Sequence, residues 1–347
     1  MGANVVGVSI DARSIRAVEV KNPTRADRSI VRVARVDLPD GAVRGGEVIE
    51  PGTVSGALKH LWATNKFSTK RVALGFGGPK AFARDFSVPL APIARIREQL
   101  PFTAQEMIPL PVAEALLDFY PSGEEQSAEG PVVRGILVAA QKDAVRSLVG
   151  AVLKAKLVPV VVDLEAFGMI RAVEPMGIAT ECVLTLGVGT STSSIVITES
   201  GVPRFVRMIA IGGDDVTAGI AKRLQIAPAQ AEQVKLHYGI AVENATEADR
   251  APIEAVYAAV WDLLASVRDT LAYYSSSPGS IPVARIAITG EGAEFPGFDR
   301  TLAELTRLPV ARAAITRSAV VGKLASGDDR ALDEYVTALG LASGVEK

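Results

Sequence analysis

One layout occurs twice in this chain, about half a chain apart. Val5-Val6-Gly7-Val8-Ser9-Ile10 is a β-branched, apolar run that turns through Asp11-Ala12-Arg13-Ser14 into Ile15-Arg16-Ala17-Val18-Glu19-Val20. Val183 to Leu186, the small-residue loop Gly187-Val188-Gly189-Thr190-Ser191 and Ser194 to Thr198 repeat strand, tight loop and returning strand. Placing Ser9 over Gly187 brings Asp11 over Gly189 and Ala17-Val18 over Ile195-Val196. A two-fold internal repeat whose strand pairs are followed by helices predicts an α/β protein made of two duplicated halves. In the first copy, Val8, Ile10, Ile15, Ala17 and Val20 suggest a hairpin buried mainly on one face.

Composition narrows the class of function. With 48% hydrophobic and 22% charged residues, the 347-residue chain can bury a large core, and its length suggests about two domains. Lys plus Arg number 37 against 39 Asp plus Glu, which excludes broad binding to nucleic acid, since that needs clustered cations to displace phosphate counterions. A single cysteine, Cys182, excludes a disulfide framework and a Cys-based zinc cage and fits a reducing cytoplasm. Two histidines, His60 and His237, leave little for a His-rich metal site or triad, so no metal site is expected. The longest apolar candidate for a membrane span, Cys182 to Thr198, is short and broken by Gly187, Gly189 and a run of hydroxyl residues. The expected protein is soluble and cytoplasmic unless a partner holds it at a membrane.

Between the two copies lies a compact α+β stretch. Strands are expected at Ser29–Leu38, Lys70–Phe76, Ala81–Val88, Ala115–Tyr120, Gly135–Ala140 and Val158–Leu164. Helices are expected at Thr53–Asn65, Pro92–Ile108 and Lys142–Lys156, and the polar stretch from Ser122 to Pro131 reads as an exposed hairpin loop. After the second copy come helices at Asp214–Leu224, Ala227–Tyr238 and Ile253–Tyr274. A strand at Ala284–Thr289 and helices at Gly297–Leu305 and Arg330–Leu341 follow. The apolar stripe of Ile253–Tyr274 has a 3.6-residue period and reads as core packing.

Two hairpin loops facing each other across a cleft can clamp a polyphosphate with backbone N–H groups where small residues let the backbone approach. The loop Gly187 to Thr192 offers glycines for access and hydroxyls as donors. Gly212-Gly213 can bring a helix N-terminus near anionic oxygens, and Gly290-Glu291-Gly292 can seat an adenine ring on bare backbone. Each glycine taken singly is equally a turn residue.

The order of these features resembles the actin/Hsp70-like ATPase fold, and more closely the PilM family of type IV pilus assembly proteins, relatives of FtsA. The resemblance rests on Val6-Gly7-Val8 with Ser14 to Val20, Gln105 to Pro111, Leu117-Asp118-Phe119-Tyr120 and Leu137 to Ala140. It continues through Pro159 to Ala166, Gly212 to Thr217 and Thr289 to Gly297, in family order along nearly the whole chain. It implies one subdomain from residues 1–77 and 157–180, with 330–347 packing back on it, and an FtsA-type insertion over 78–156. The second half would comprise 181–218 with 284–329, carrying a further subdomain at 219–283. It implies a nucleotide site for ATP or ADP with Mg²⁺ at Ser9, Asp11, Ala12, Arg13, Gly187, Gly189, Thr190, Ser191, Gly212, Gly213, Gly290 and Gly292. Glu232 and Lys235 would lie along the adenosine, although they also read as a solvated i,i+3 pair.

Two departures bear on catalysis. Family members usually carry Asp where this chain has Ser9 and Gly187, and Gly where it has Asp11. Phosphoryl transfer asks a protein chiefly for geometry and charge stabilisation, so losing carboxylates that orient metal and water predicts very slow hydrolysis, and no catalytic residue is assigned. Asp11 would meet a phosphate with like charge, which predicts weakened or absent nucleotide binding; it also suits a plain tight turn. As a partner, the resemblance implies the N-terminal cytoplasmic tail of a single-span, PilN-like membrane protein, lying in a groove between the insertion and the main body. Phe76, Phe102, Met107, Ile108 and Leu110 are candidates for that groove, or ordinary interdomain core. The implied role is an adaptor coupling the membrane proteins to the pilus assembly motor ATPase at the inner face of the membrane, with self-association left open. A slowly hydrolysing ATPase of the same fold is the alternative. A sugar or acetate kinase is a third, for which no placed carboxylate base is found.

Overall fold

The duplicated layout is carried by two sheets with the same strand order. In a computed structural model, residues 4–23, 28–128, 130–173, 181–240, 246–277, 279–313, 320–321 and 333–345 are described. Strands β1 (Val5–Ile10) and β2 (Ser14–Lys21) pair antiparallel from Val5↔Val20 to Ile10↔Ile15, and β3 (Ser29–Asp37) adds to β2. A small hairpin, β4 (Val43–Arg44) with β5 (Glu47–Val48), leads into helix α1 (Pro51–Asn65), which starts on a proline that needs no helical donor. Strand β6 (Arg71–Phe76) then returns parallel to β1.

The insertion that follows is a three-stranded antiparallel sheet ordered β7 (Ala81–Pro89), β9 (Gly130–Gln141), β8 (Ala115–Ser127). Helix α2 (Ile93–Thr103) lies on one face, with Ile96 and Leu100 packed among Val88, Phe119, Val133 and Leu137. Two expectations change here. The helix expected to reach Ile108 stops at Thr103, because Pro101 already removes one donor and the chain turns at Ala104. The expected loop from Ser122 onward is instead a continuation of β8 and β9, paired as far as Ser127↔Gly130. Its side chains are largely exposed, so the ribbon carries no hydrophobic pattern; only the backbone ladder marks it.

Helix α3 (Lys142–Lys154) packs back on α1, β10 (Val158–Leu164) joins β6 in parallel, and α4 (Glu165–Val173) follows directly. The second half repeats the kernel with β11 (Cys182–Val188), β12 (Ser193–Glu199) and β13 (Val202–Ile209). Helices α5 (Gly213–Leu224), α6 (Pro228–Tyr238) and α7 (Arg250–Ser275) come next. Strand β14 (Arg285–Thr289), helix α8 (Phe298–Thr306) and strand β15 (Val310–Arg312) complete this sheet. Strand β16 (Val320–Val321) crosses back to β3, and α9 (Val336–Ser343) ends the described chain. Reading from the third strand, the sheets run β3-β2-β1-β6-β10 and β13-β12-β11-β14-β15. Each is an antiparallel meander whose first strand is extended by parallel neighbours.

The hairpin β1–β2 is buried on both faces, not on one. Val6, Val8, Ile15 and Ala17 face the core that includes Leu58 of α1, while Val18 and Val20 pack with Ala338 and Leu339 of α9. A helix that is apolar nearly all round, like α9, belongs in such a sandwiched position. It sits so close to α4 that a Cβ on Gly340 would stand 1.6 Å from the Gly168 carbonyl oxygen. The expected start of this terminal helix at Arg330, and the expected subdomain segments at 174–180, 314–319 and 322–332, fall outside the described residues.

Candidate functional site: the cleft between the hairpin loops

The turns of β1–β2 and β11–β12 open onto one cleft. Ser9, Asp11, Arg16, Glu165, Gly187, Gly189, Thr190, Ser191, Gly290, Glu291 and Glu334 line it. The free space between them is about 80 Å³, against roughly 300–1,000 Å³ for typical small-molecule sites. Ala12 and Arg13 sit at the turn tip outside this lining, and Arg13 forms an ion pair with Asp214 at the start of α5.

The first loop is bonded to itself. Asp11 Oδ1 accepts the backbone N–H groups of Arg13 at 2.9 Å and Ser14 at 3.0 Å, and Oδ2 accepts Arg16 Nη1 at 2.5 Å. The Arg16 guanidinium also meets Glu291 at 2.6 Å and Glu334 at 3.3 Å. Arg35 on β3 contacts the same two carboxylates, at 3.2 and 2.7 Å. Burial works against charge on Arg16, but Asp11 and Glu291 outweigh it and hold the pKa well above the ordinary arginine value. Carboxylates of the second half and of the C-terminal segment thus grip arginines of the first half across the cleft.

The second loop is held by backbone. Gly189 N–H donates to Thr192 O at 2.9 Å, while Gly189 O and Thr190 O accept the amides of Gly213 and Asp214 at 2.9 and 2.7 Å. The first two amides of α5 are therefore spent on the loop, and the Gly212 amide is taken by Asp215 Oδ2 at 2.8 Å. Gly290 has φ +92°, and a Cβ on Gly292 would lie 2.4 Å from Gly189 O. These glycines let three backbone segments stack where a side chain would part them. The Thr190 hydroxyl is buried without a hydrogen-bond partner among the described residues.

Beside the loops, Ser9 Oγ donates to Glu165 Oε1 at 2.7 Å at the start of α4. Burial, with Asp11's charge adding to it, pushes the Glu165 carboxyl up to about 7, against the Ser9 hydrogen bond and the Arg16 charge. Asp214 is also raised, by burial that exceeds the effect of Arg13. Glu232 and Lys235 do not form a solvated pair. Lys235 is only 4% exposed, and its Nζ binds Glu232 Oε2 and Thr217 Oγ1 at 2.9 Å each and Gly213 O at 3.2 Å. Burial would raise Glu232, but Thr217 and Lys235 hold it below the usual carboxylate range. Buried Lys235 and Thr217, with half-buried Glu232, brace α5 and α6 behind the Gly212-Gly213 turn.

The five apolar candidates for a partner groove are not gathered together. Phe76 is in the core of the first half, Phe102 is 82% exposed at the end of α2, and Ile108 packs against the insertion's own core. Leu110 is half-buried. Met107 lines a separate groove of about 880 Å³ between β7 of the insertion and β13, with Arg84, Phe205, Arg207 and Tyr273 around it.

Reading the sequence missed the residues that dominate the cleft: Arg16, Arg35, Glu165, Asp214, Glu291 and Glu334. Arg16 did carry a signal, being a cation flanked by the apolar residues Ile15 and Ala17 in a strand-like run. Glu165 falls within the stretch from Pro159 to Ala166 but lies in α4, a helix that was not expected.

Two sheets that share one five-strand order, joined across a cleft at their hairpin loops, define the actin-like fold. MreB5 of Spiroplasma citri bound to AMPPNP shares it, with TM-score 0.58 and 12% identity over 98% of this chain and 95% of that one. So does the ethanolamine utilization protein EutJ from Carboxydothermus hydrogenoformans, with TM-score 0.56 and 16% identity over 99% and 90%. A structure of a PilM-PilN type IV pilus biogenesis complex matches with TM-score 0.85 and 24% identity over 99% of each chain. Curated protein sequences give no match. The family described as type IV pilus assembly protein PilM matches residues 7–345, and the chain belongs to that family.

Proposed function

We propose that the chain is a cytoplasmic adaptor of type IV pilus assembly that binds the N-terminal tail of a PilN-like membrane protein and links it to the assembly motor, with nucleotide binding weakened or lost. The observation that carries this is the family match over residues 7–345, seconded by the likeness to the PilM-PilN complex across 99% of the chain. Among the described residues no helix is long and apolar enough to cross a membrane, so recruitment through a partner's tail accounts for a place at the pilus machine. The groove beside Met107 suits such a tail. Both β7 and β13 are edge strands, and an extended peptide gains main-chain hydrogen bonds at an edge while its side chains fill pockets such as that beside Phe205 and Tyr273. The subdomain division implied by the sequence is part of this reading, with the insertion supplying one wall.

Titration calorimetry with a synthetic PilN-like tail tests it. Saturable binding to the full chain, weakened by Met107→Asp, is expected; no binding to the unmutated chain overturns the adaptor reading. A slow ATPase is favoured instead by the Glu165 carboxyl and by the Thr190 hydroxyl, unpartnered among the described residues, in the cleft. Micromolar affinity for ATP with Mg²⁺ in the unmutated chain would select that reading.

A further inference from the structure

The Asp11 carboxylate occupies the donors that a phosphate group would seek in the first loop. We infer that Asp11 is a built-in competitor for polyphosphate, and that the cleft is a phosphate site closed by its own side chain. The inference rests on the reading that nucleotide binding is weakened.

Phosphate and carboxylate oxygens make the same demands, namely N–H donors and a guanidinium in fork geometry. Asp11 receives two loop amides and Arg16 Nη1 at 2.5–3.0 Å. It is tethered within the loop it fills, so an incoming anion competes with a group at high effective concentration. Charge adds to the block. Among the described residues Arg13, Arg16 and Arg35 are paired with Asp11, Asp37, Asp214, Glu291 and Glu334, three cations against five anions before any ligand arrives. The opposite wall points the other way, because the buried Thr190 hydroxyl in the second loop has no partner within the described structure. A ligand oxygen there would give that hydroxyl the bond it lacks. One jaw thus holds an anion of its own while the other keeps a donor in reserve.

The test uses the full chain with inorganic pyrophosphate, and separately ATP with and without Mg²⁺, by titration calorimetry. Asp11→Gly frees the amides and Arg16 together. Asp11→Asn keeps the side-chain turn and removes the charge, so it serves if the glycine variant folds poorly. Trading a charge-assisted contact from Asp11 for one from the ligand is expected to tighten pyrophosphate binding about 10- to 100-fold over the unmutated chain. Adding Arg16→Gln should abolish the gain. Folded Asp11→Gly and Asp11→Asn proteins that bind pyrophosphate no better than the unmutated chain would overturn the inference while leaving weak nucleotide binding intact. Tight ATP binding by the unmutated chain, unchanged in Asp11→Asn, would overturn both.

Discussion

The two hairpins share a backbone plan and differ in what fills it. In the first, Ser9 faces Arg16 across the ladder; at the matching place in the second, Gly187 faces Ser194. Around Arg16 the first loop has become a knot of charge, bonded to Asp11, Glu291 and Glu334. Around Gly187 the second has stayed small: a Cβ there would strike Met169 Sδ at 2.5 Å, and the loop is fixed by main-chain bonds to α5. Duplication preserved the frame, because strand order and burial depend on apolar pattern. The loops were left free to diverge, because their conformation can be held by side chains in one copy and by backbone in the other.

The sharpest way to break this comparison is to exchange the paired positions for alanine. Arg16 is 6% exposed and compensates carboxylates drawn from three separate segments. Removing one partner of a buried ion cluster costs about 3–5 kcal/mol, since it leaves the other charges desolvated and unpaired. Arg16→Ala is expected to lose stability of that size in urea denaturation, and Ser194→Ala to change it by no more than about 0.5 kcal/mol. Equal losses at the two sites would show that the first loop is not held by its charges.

How far the sequence foretold this follows from the same contrast. The repeat, the fold class and most strands and helices were legible, because burial writes a period into the residues. The glycines in and beside the second loop were legible too, since close approach to the Gly189 carbonyl admits no other residue at Gly292. The charge lattice was not. Arg16 and Glu334 are 318 positions apart, and no local pattern couples them. Asp11 is the instructive case. Its hydrogen bonds to the Arg13 and Ser14 amides are those of a turn residue, and the proposed competition with phosphate draws on the same donors together with Arg16. Lys235 shows the reverse: its i,i+3 spacing with Glu232 is a surface pattern, yet packing of α5 on α6 buries it.

A smaller effect distinguishes the walls by pH. Glu165, hydrogen-bonded by Ser9 of the first hairpin, has its carboxyl raised to about 7. A raised carboxyl means the folded state holds its proton more tightly than the unfolded chain does. The stability this confers is complete below the ordinary carboxylate range, near 4.3, and is lost as pH rises through about 7. Glu165→Gln keeps an acceptor for Ser9 and removes the ionisation. It should match the parent near pH 4 and exceed it at pH 8 by about 3–4 kcal/mol, measured by urea denaturation at both values. A difference independent of pH would show that Glu165 ionises as an ordinary carboxyl.

The effect most easily screened comes from the rim of the lattice. Arg13 meets Asp214 with side chains 44% and 36% exposed, far more open than Arg16 at 8%. Water and salt screen such a pair, so it contributes about 0–1 kcal/mol and less as ionic strength rises. Arg13→Ala should therefore cost under about 1 kcal/mol in dilute buffer and almost nothing at 1 M salt, while the loss from Arg16→Ala persists in both. If the Arg13 loss survived high salt as well, the division between a buried hub and a screened rim would fail. The cleft would then be held by all its arginines alike, and the contrast with the backbone-held loop would be stronger than the exposures suggest.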